Sequence, residues 1–141
     1  MPKNFTSSDK FKSSSRFSKI REAHQTELAE DYVEMIFDLI ENKGEARVVD
    51  LAKRFGVSSA TVNATIQRLK KDGLVNAEPH RSIFLTAKGN KLANSSLKRH
   101  DIVYKFLLSL GISEEIALTD AEGIEHHVSQ ETLQTFKKLI S

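Results

Sequence analysis

Apolar positions return at helical spacing in the stretch that follows Thr26. Six of them recur every three or four residues and would share one face of a helix. They are Leu28, Tyr32, Met35, Ile36, Leu39 and Ile40. The pattern stops at Asn42-Lys43-Gly44, where a glycine is suited to end a helix. The pattern predicts a helix from Thr26 to about Gly44.

Two shorter amphipathic patterns follow. Residues 48–55 predict a helix that stops at Gly56, which can adopt the left-handed cap conformation. Ser58 is a suitable N-cap for a second helix over residues 59–71, and Asp72-Gly73 ends it. Val62, Ile66 and Leu69 mark its buried side. The short, glycine-containing connection is the spacing of a helix-turn-helix.

The rest of the chain reads as a hairpin and further helices. Residues 74–77 and 82–85 predict two strands around a basic tip, and Thr86 is placed to cap a long helix that ends near Gly111. Thr119 and Ser129 are predicted caps of two further short helices. The fold class is therefore mainly α: a winged helix-turn-helix followed by an all-helical domain. We expect a flexible basic arm over 1–24, a DNA-binding domain over 25–95, and a dimerisation and metal-binding domain over 96–141.

Composition narrows the class of protein. The chain has 141 residues, of which 39% are hydrophobic and 28% charged, as in a globular protein of one or two small domains. It has no cysteine, which excludes disulfides, thiolate metal sites and thiol nucleophiles. No apolar run approaches the roughly 18 residues of a membrane span, and no secretory signal precedes residue 30. We expect a cytoplasmic protein that does not enter membranes.

Charge is unevenly distributed along the chain. Residues 1–22 are serine-rich and carry six basic side chains against two acidic ones, which is typical of a mobile arm. Residues 47–91 carry nine basic side chains against three acidic ones, whereas residues 114–131 carry six acids and neither Lys nor Arg. A basic middle favours a polyanion, and an acidic, histidine-bearing end favours a cation.

The start of the second helix of the helix-turn-helix is the candidate DNA-contacting surface. Its small polar side chains lie where a recognition helix meets base edges, and the basic hairpin tip would lie nearby. The predicted DNA-contacting residues are Ser58, Ser59, Ala60, Thr61, Asn63, Arg68, His80 and Arg81. These side chains do not by themselves specify a base sequence. The alternative is an ordinary amphipathic helix with its lysines in solvent.

Candidate metal ligands lie in three places. Glu122, Glu125 and His126 stand at i, i+3 and i+4, so on a helix they would share one face. Asp31 and Glu34 stand at i, i+3 near the start of the chain, and His100 lies on the long predicted helix. Carboxylate and imidazole donors without sulfur suit Mn²⁺ or Fe²⁺, although zinc and copper would also bind tightly.

Each candidate also has a simpler interpretation. Glu122 could complete a capping box with Thr119. Asp31, Glu34 and His100 could be ordinary solvated surface. We assign no metal role to His24 or His80. His127 is a less favoured ligand than His126, because it would lie about a hundred degrees further round the helix. The residues alone leave a metal site and a surface stripe both open.

Four segments together resemble one known family. They are Glu30–Glu34, Leu69–Val75, Leu85–Gly89 and Asp120–His127. Over residues 25–139 the chain resembles the manganese transport regulators, a two-domain branch of the diphtheria toxin repressor family. The resemblance implies six metal ligands and about two metal ions per subunit, Mn²⁺ first, with Fe²⁺, Co²⁺ or Zn²⁺ as substitutes. The implied ligands are Asp31, Glu34, His100, Glu122, Glu125 and His126.

Two departures from related sequences are informative. The iron-responsive branch carries Met and Cys where this chain has Asp31 and Glu122, which argues against iron as the main effector. The start of the recognition helix lacks the proline that is common in relatives, so operator preference does not carry over.

The resemblance implies a homodimeric, manganese-responsive regulator that binds a palindromic DNA operator and represses manganese uptake when the metal is plentiful. Its binuclear site would tie the DNA-binding half to the dimer half. The predicted dimer surface is apolar, with an intradomain core as the alternative for the same residues: Ile102, Val103, Phe106, Leu107 and Leu110. Rival hypotheses are an iron-responsive repressor of the same family, a dinuclear metalloenzyme, and a winged-helix regulator that needs no metal.

Overall fold

Helices dominate the computed structural model, which describes the backbone of residues 7–141 and side chains from residue 15 onward. The elements in chain order are α1 (Ser7–Lys43), α2 (Val48–Phe55), α3 (Ser59–Lys71), β1 (Val75–Asn76), β2 (Phe84–Leu85), α4 (Ala87–Ser109), α5 (Glu114–Ile124) and α6 (Gln130–Ile140). This order confirms the mainly α fold class, a winged helix-turn-helix followed by a helical domain. No helix within the described residues is both long and apolar enough to cross a membrane.

The helix-turn-helix has the predicted bounds. Gly56 ends α2 in the left-handed conformation, with φ at 66°, and its N–H donates to the Ala52 carbonyl. Ser58 begins α3, because its Oγ accepts from the backbone N–H of Thr61 at 3.1 Å. The local capping chemistry thus sets the turn between α2 and α3.

The wing is a short antiparallel pair in which Val75 lies opposite Leu85 and Asn76 opposite Phe84. Its strands are shorter than the predicted spans 74–77 and 82–85. Thr86 caps α4 as predicted, accepting from the N–H of Gly89 at 3.1 Å. A Cβ on Gly89 would lie 2.1 Å from the Leu74 carbonyl oxygen. The first turn of α4 therefore packs directly against the backbone that leads into β1.

Helix α1 begins much earlier than predicted. Its start is Ser7 and not Thr26, so residues 7–24 are helical where the sequence predicted a flexible arm. Residues 1–6 of that predicted arm lie outside the described residues. Neither Gly nor Pro occurs between residues 3 and 43, and extending an existing helix is far easier than starting one. The side chains of residues 15–22 are all exposed, so local propensity rather than packing extends this helix.

The beginning of α5 also differs from the prediction. The helix starts at Glu114, so Thr119 lies inside it and donates its hydroxyl to the Glu115 carbonyl at 3.1 Å. The proposed capping box between Thr119 and Glu122 is therefore wrong. Ser129 does cap α6, because its Oγ accepts from the N–H of Thr132 at 3.2 Å.

The described side chains form two apolar cores, and α4 contributes to both. Ala93 belongs to the core formed with α1, α2, α3 and the wing, whereas Val103 and Leu107 belong to the core formed with α5 and α6.

This division corrects the predicted dimer surface. Val103 is fully buried and Leu107 is 8% exposed within the single chain, so neither is available to a partner. Ile102 and Phe106 pack against the same core, and the ring of Phe106 stacks on Phe136. A helical pattern of apolar residues shows that a face is buried but not which surface covers it. Of the predicted set, Leu110 is largely exposed.

Candidate metal centre

Two neighbouring side chains at the end of α5 point toward different helices. Glu125 is the C-cap of α5, and His126 follows it. His126 Nε2 lies 3.0 Å from Asp31 Oδ1 on α1, whereas Glu125 Oε2 lies 3.4 Å from His100 Nδ1 on α4. The prediction that Glu122, Glu125 and His126 form one helical stripe is therefore wrong, because the helix ends before the histidine.

Among the described residues, side chains of the types that bind metals gather in two groups. One contains Glu27, Asp31 and His126, and the other contains His100, Glu122 and Glu125. In each group the ligand atoms lie within 4.8 Å of one another. The groups adjoin, since His126 Nε2 is 3.3 Å from Glu125 Oε1. Five of the six residues that the resemblance implied are thus brought together.

Glu34 belongs to neither group, although it lies near both. Burial raises the pKa of Glu34 to about 7, and the charges of Glu125 and Glu122 act in the same direction. A cation that binds this carboxylate must displace the proton that the group holds below about pH 7.

Several buried atoms at this centre have polar neighbours within about 3.0 to 3.4 Å but form no hydrogen bond of good geometry within the described part of the chain. They are both carboxylate oxygens of Glu125, Nδ1 of His100 and Nε2 of His126. The side chains of Glu125 and His126 are 0% and 1% exposed. Buried polar atoms are normally satisfied, and these converge on the same small region. The donor set fits divalent cations, which would supply the missing partners in the two groups.

The two histidines carry raised pKa values because carboxylates surround them. Burial lowers the pKa of His126, but Asp31 and Glu30 outweigh it and raise the value to about 10. The contact with Glu125 raises the pKa of His100. Without a cation, protons on these rings balance part of the negative charge. A metal ion would take over that role and displace the protons.

Glu30 and Arg99 form an outer layer that the sequence did not reveal. His126 Nδ1 lies 2.6 Å from Glu30 Oε2, and an Arg99 guanidinium nitrogen lies 2.6 Å from the same oxygen. Burial alone would raise the pKa of Glu30, but these two contacts lower it. With Nδ1 held by Glu30, the opposite nitrogen of His126 is directed at Asp31, an arrangement common to metal-binding histidines.

The predicted DNA-contacting residues are all exposed. Ser59 and Asn63 of α3 line a groove that His80 and Arg81 of the wing tip close from the other side. Ser58 and Thr61 are hydrogen-bonded to each other at the helix start. Arg68 instead lines a second depression beside α1, away from the wing.

The groove also contains three polar side chains that were not among the predicted DNA-contacting residues, Arg47, Gln67 and Glu78. Gln67 lies four residues after Asn63, a helical spacing that could have found it. Arg47 precedes α2 and is far from the wing tip in sequence, so only the tertiary fold brings it to the groove.

Comparison with known proteins gives concordant matches to both halves. Residues 24–83 match the family described as "Iron dependent repressor, N-terminal DNA binding domain", and residues 86–141 match "Iron dependent repressor, metal binding and dimerisation domain". The chain is 57% identical over 121 residues to the "Transcriptional regulator MntR" of Escherichia coli O157:H7, covering 86% of this chain and 78% of that protein. It is 40% identical over 111 residues to the "HTH-type transcriptional regulator MntR" of Bacillus subtilis strain 168, covering 79% of this chain and 78% of that protein.

A solved structure shares the fold. It is described as "Manganese-dependent transcriptional repressor complex with manganese", and it superposes with a TM-score of 0.72 at 30% identity. The match covers 79% of this chain but 52% of the solved one, so this chain spans about half the length of that structure.

Proposed function

The chain belongs to the iron-dependent repressor family, also called the diphtheria toxin repressor family, and from that premise we propose how it works as a manganese-responsive transcriptional regulator. It lies in the manganese-regulator branch, whose members regulate transcription by binding DNA, and it is not an enzyme. We propose that bound Mn²⁺ makes it repress manganese uptake genes. The observation that carries this proposal is the convergence of unpartnered, buried ligand atoms from α1, α4 and the turn after α5.

The proposed ligands are the six residues implied by the resemblance, and we propose two Mn²⁺ ions per subunit. They are Asp31, Glu34, His100, Glu122, Glu125 and His126. The two adjoining groups support a pair of ions, with Glu125 between them. When bound, the ions would neutralise the clustered carboxylates. Fe²⁺, Co²⁺ and Zn²⁺ are proposed substitutes, because the donor set is oxygen-rich but accepts borderline ions.

The metal would connect two parts of the chain that have separate cores. We place the division at residues 95/96, inside α4, since Ala93 packs in one core and Val103 in the other. Asp31 and Glu34 lie on α1, which packs in the DNA-binding core, whereas the other proposed ligands lie in the C-terminal half. Metal would fix the angle between the halves, and without it repulsion among the carboxylates would loosen them. A coupling free energy of about 1–3 kcal/mol is sufficient for such a switch.

The chain carries a dimerisation domain, and α5 is the proposed contact. This helix buries only small side chains, Ala117 and Ala121, in its own core. It exposes Ile116, Leu118 and Ile124. A helix on the surface of a monomer normally buries its large apolar side chains and exposes polar ones. A second copy would cover these side chains. Dimerisation would then place two α3 helices in successive major grooves of a palindromic operator.

A mobility-shift experiment tests the proposed function. Duplexes are first selected from a random library by the full chain with Mn²⁺ present, and the selected duplex is then titrated with protein in Mn²⁺ or in EDTA. The proposal expects tight binding only with Mn²⁺, and binding that weakens steeply with salt. Equal binding in EDTA would favour the metal-independent regulator. Tighter binding with Fe²⁺ than with Mn²⁺, each at equal free concentration and without oxygen, would favour the iron-responsive alternative.

A further inference from the structure

Glu27 lies at the metal centre although it is not one of the six residues implied by the resemblance. It stands one helical turn before Asp31 on α1, so the two carboxylates share a face. One of its carboxylate oxygens lies within 4.8 Å of a carboxylate oxygen of Asp31 and of a ring nitrogen of His126. The side chains of Glu27 and Asp31 are 29% and 35% exposed, so the two carboxylates form the solvent side of this group and His126 forms its buried side.

The buried side of the group indicates a ligand independently of the acidic cluster. His126 is 1% exposed, and its Nε2 has no hydrogen-bond partner among the described residues. Because Glu30 engages Nδ1, Nε2 is the nitrogen left to face Asp31 and the space beside Glu27. An imidazole nitrogen held in this way, opposite two carboxylates, is a typical metal ligand.

His127 holds Glu27 in place from outside the group. Its Nε2 lies 3.1 Å from Glu27 Oε2. This contact engages one carboxylate oxygen and leaves the other for a cation. On a continuous helix His127 would point away from the side of His126, but His127 lies in the turn after α5, where the helical angle does not apply.

We propose that Glu27 is a further metal ligand, with His127 as the residue that positions it. The inference rests on the proposed function and extends it to a seventh ligand. It gives the Asp31–His126 half of the site a third protein ligand and one more oxygen donor. Mn²⁺ stands at the weak end of the affinity order of divalent ions, so an added carboxylate is worth most to this metal.

Calorimetric titration of the metal-free full chain with Mn²⁺ tests the role of Glu27. The variants are Glu27→Gln, which keeps the shape of the side chain, and Glu22→Gln, a matched loss of one exposed carboxylate on the same helix. We expect Glu27→Gln to weaken the binding of one Mn²⁺ per subunit by at least about tenfold, and Glu22→Gln to leave both affinities within about twofold. His127→Gln should give a smaller loss than Glu27→Gln, since it acts through Glu27.

The outcomes separate the two proposals. If the wild type and Glu22→Gln bind Mn²⁺ and Glu27→Gln binds it equally well, Glu27 is not a ligand, while the proposed function stands. If Glu27→Gln and Glu22→Gln lose affinity equally, the effect is general electrostatics and the ligand role is again overturned. If the wild type binds no Mn²⁺, the proposed function fails and the role of Glu27 fails with it. Circular dichroism of each variant confirms that α1 remains helical.

Discussion

At the scale of single residues, His126 determines how protons and metal compete. Its pKa is raised to about 10, and that of Glu34 to about 7, so the folded metal-free chain holds protons that the unfolded chain releases. For such groups the free energy of unfolding falls as pH rises, over about 4.5 to 7 for Glu34 and 6.5 to 10 for His126. Metal binding requires both groups to be deprotonated, so the affinity for metal rises as pH rises.

We therefore predict that the melting temperature of the metal-free chain falls between about pH 6 and pH 8.5, whereas saturating Mn²⁺ reduces or removes the fall. Thermal unfolding in EDTA and in Mn²⁺ across this range checks it. His126→Gln should reduce the decline above about pH 7, and His100, whose pKa is also raised, would contribute to the decline that remains. A metal-free melting temperature that rises with pH over this interval would contradict the assignment.

We predict that the donor atoms at two proposed ligand positions determine which metal ion activates DNA binding. Asp31 and Glu122 supply oxygen where the iron-responsive branch has sulfur, and Mn²⁺ depends on oxygen-rich coordination. The double variant Asp31→Met, Glu122→Cys should respond more weakly to Mn²⁺ and relatively better to Fe²⁺ or Co²⁺. His126→Ala should instead weaken the response to every metal. Titration of DNA binding against free metal, without oxygen for Fe²⁺, measures both variants. Wild-type Mn²⁺ activation in the double variant would exclude both side chains as important ligands.

At the scale of elements, the first turn of α4 and the base of the wing are in closest contact at Gly89. A methyl group there would overlap the carbonyl oxygen of Leu74, which is a backbone atom and cannot rotate away as a side chain could. We predict that Gly89→Ala lowers the free energy of unfolding by about 1–3 kcal/mol. Gly123→Ala in α5 is the control, since nothing lies within 4 Å of its added carbon, and a helical alanine is neutral or slightly stabilising. Urea unfolding measures the free energy of unfolding of both variants. Equal values would mean that the backbone at the wing base moves to accommodate the methyl group, and would contradict the prediction.

Local chemistry predicted some elements and failed on others for identifiable reasons. The helix-turn-helix and α4 follow from caps within a few residues, at Gly56, Ser58 and Thr86, so the sequence is sufficient. The predicted start of α5 was wrong because Thr119, three residues before Glu122, has the spacing of a capping box. The N-cap of α5 is Ser113.

The candidate site shows more clearly what local sequence patterns cannot predict. Spacing found all six proposed ligands as metal-capable, but it placed Glu122, Glu125 and His126 on a single stripe. A helix end between Ile124 and His126 changes which partners they meet. Glu30 and Arg99 were invisible because their contact joins residues about seventy positions apart, and no local pattern records it.

At the scale of the whole molecule, the account requires a dimer formed through α5. We predict that Ile116→Asp with Leu118→Asp shifts the chain from dimer to monomer in analytical ultracentrifugation, because the charges would be buried in the contact. Phe84→Asp is the matched control, an exposed apolar residue on the wing that lies away from α5. A dimer that survives the double substitution and is lost with the control would place the interface on the DNA-binding half.

The central claim is that metal lies between α1 and the C-terminal half and joins them. Anomalous diffraction at the manganese edge, from crystals of the full chain grown with Mn²⁺, tests this most directly. The account predicts two peaks per chain, one bounded by Asp31 and His126 and one among His100, Glu122 and Glu125. Manganese found only at other surfaces, or bound by the C-terminal ligands with Asp31 left in solvent, would contradict the claim that the metal connects the two halves.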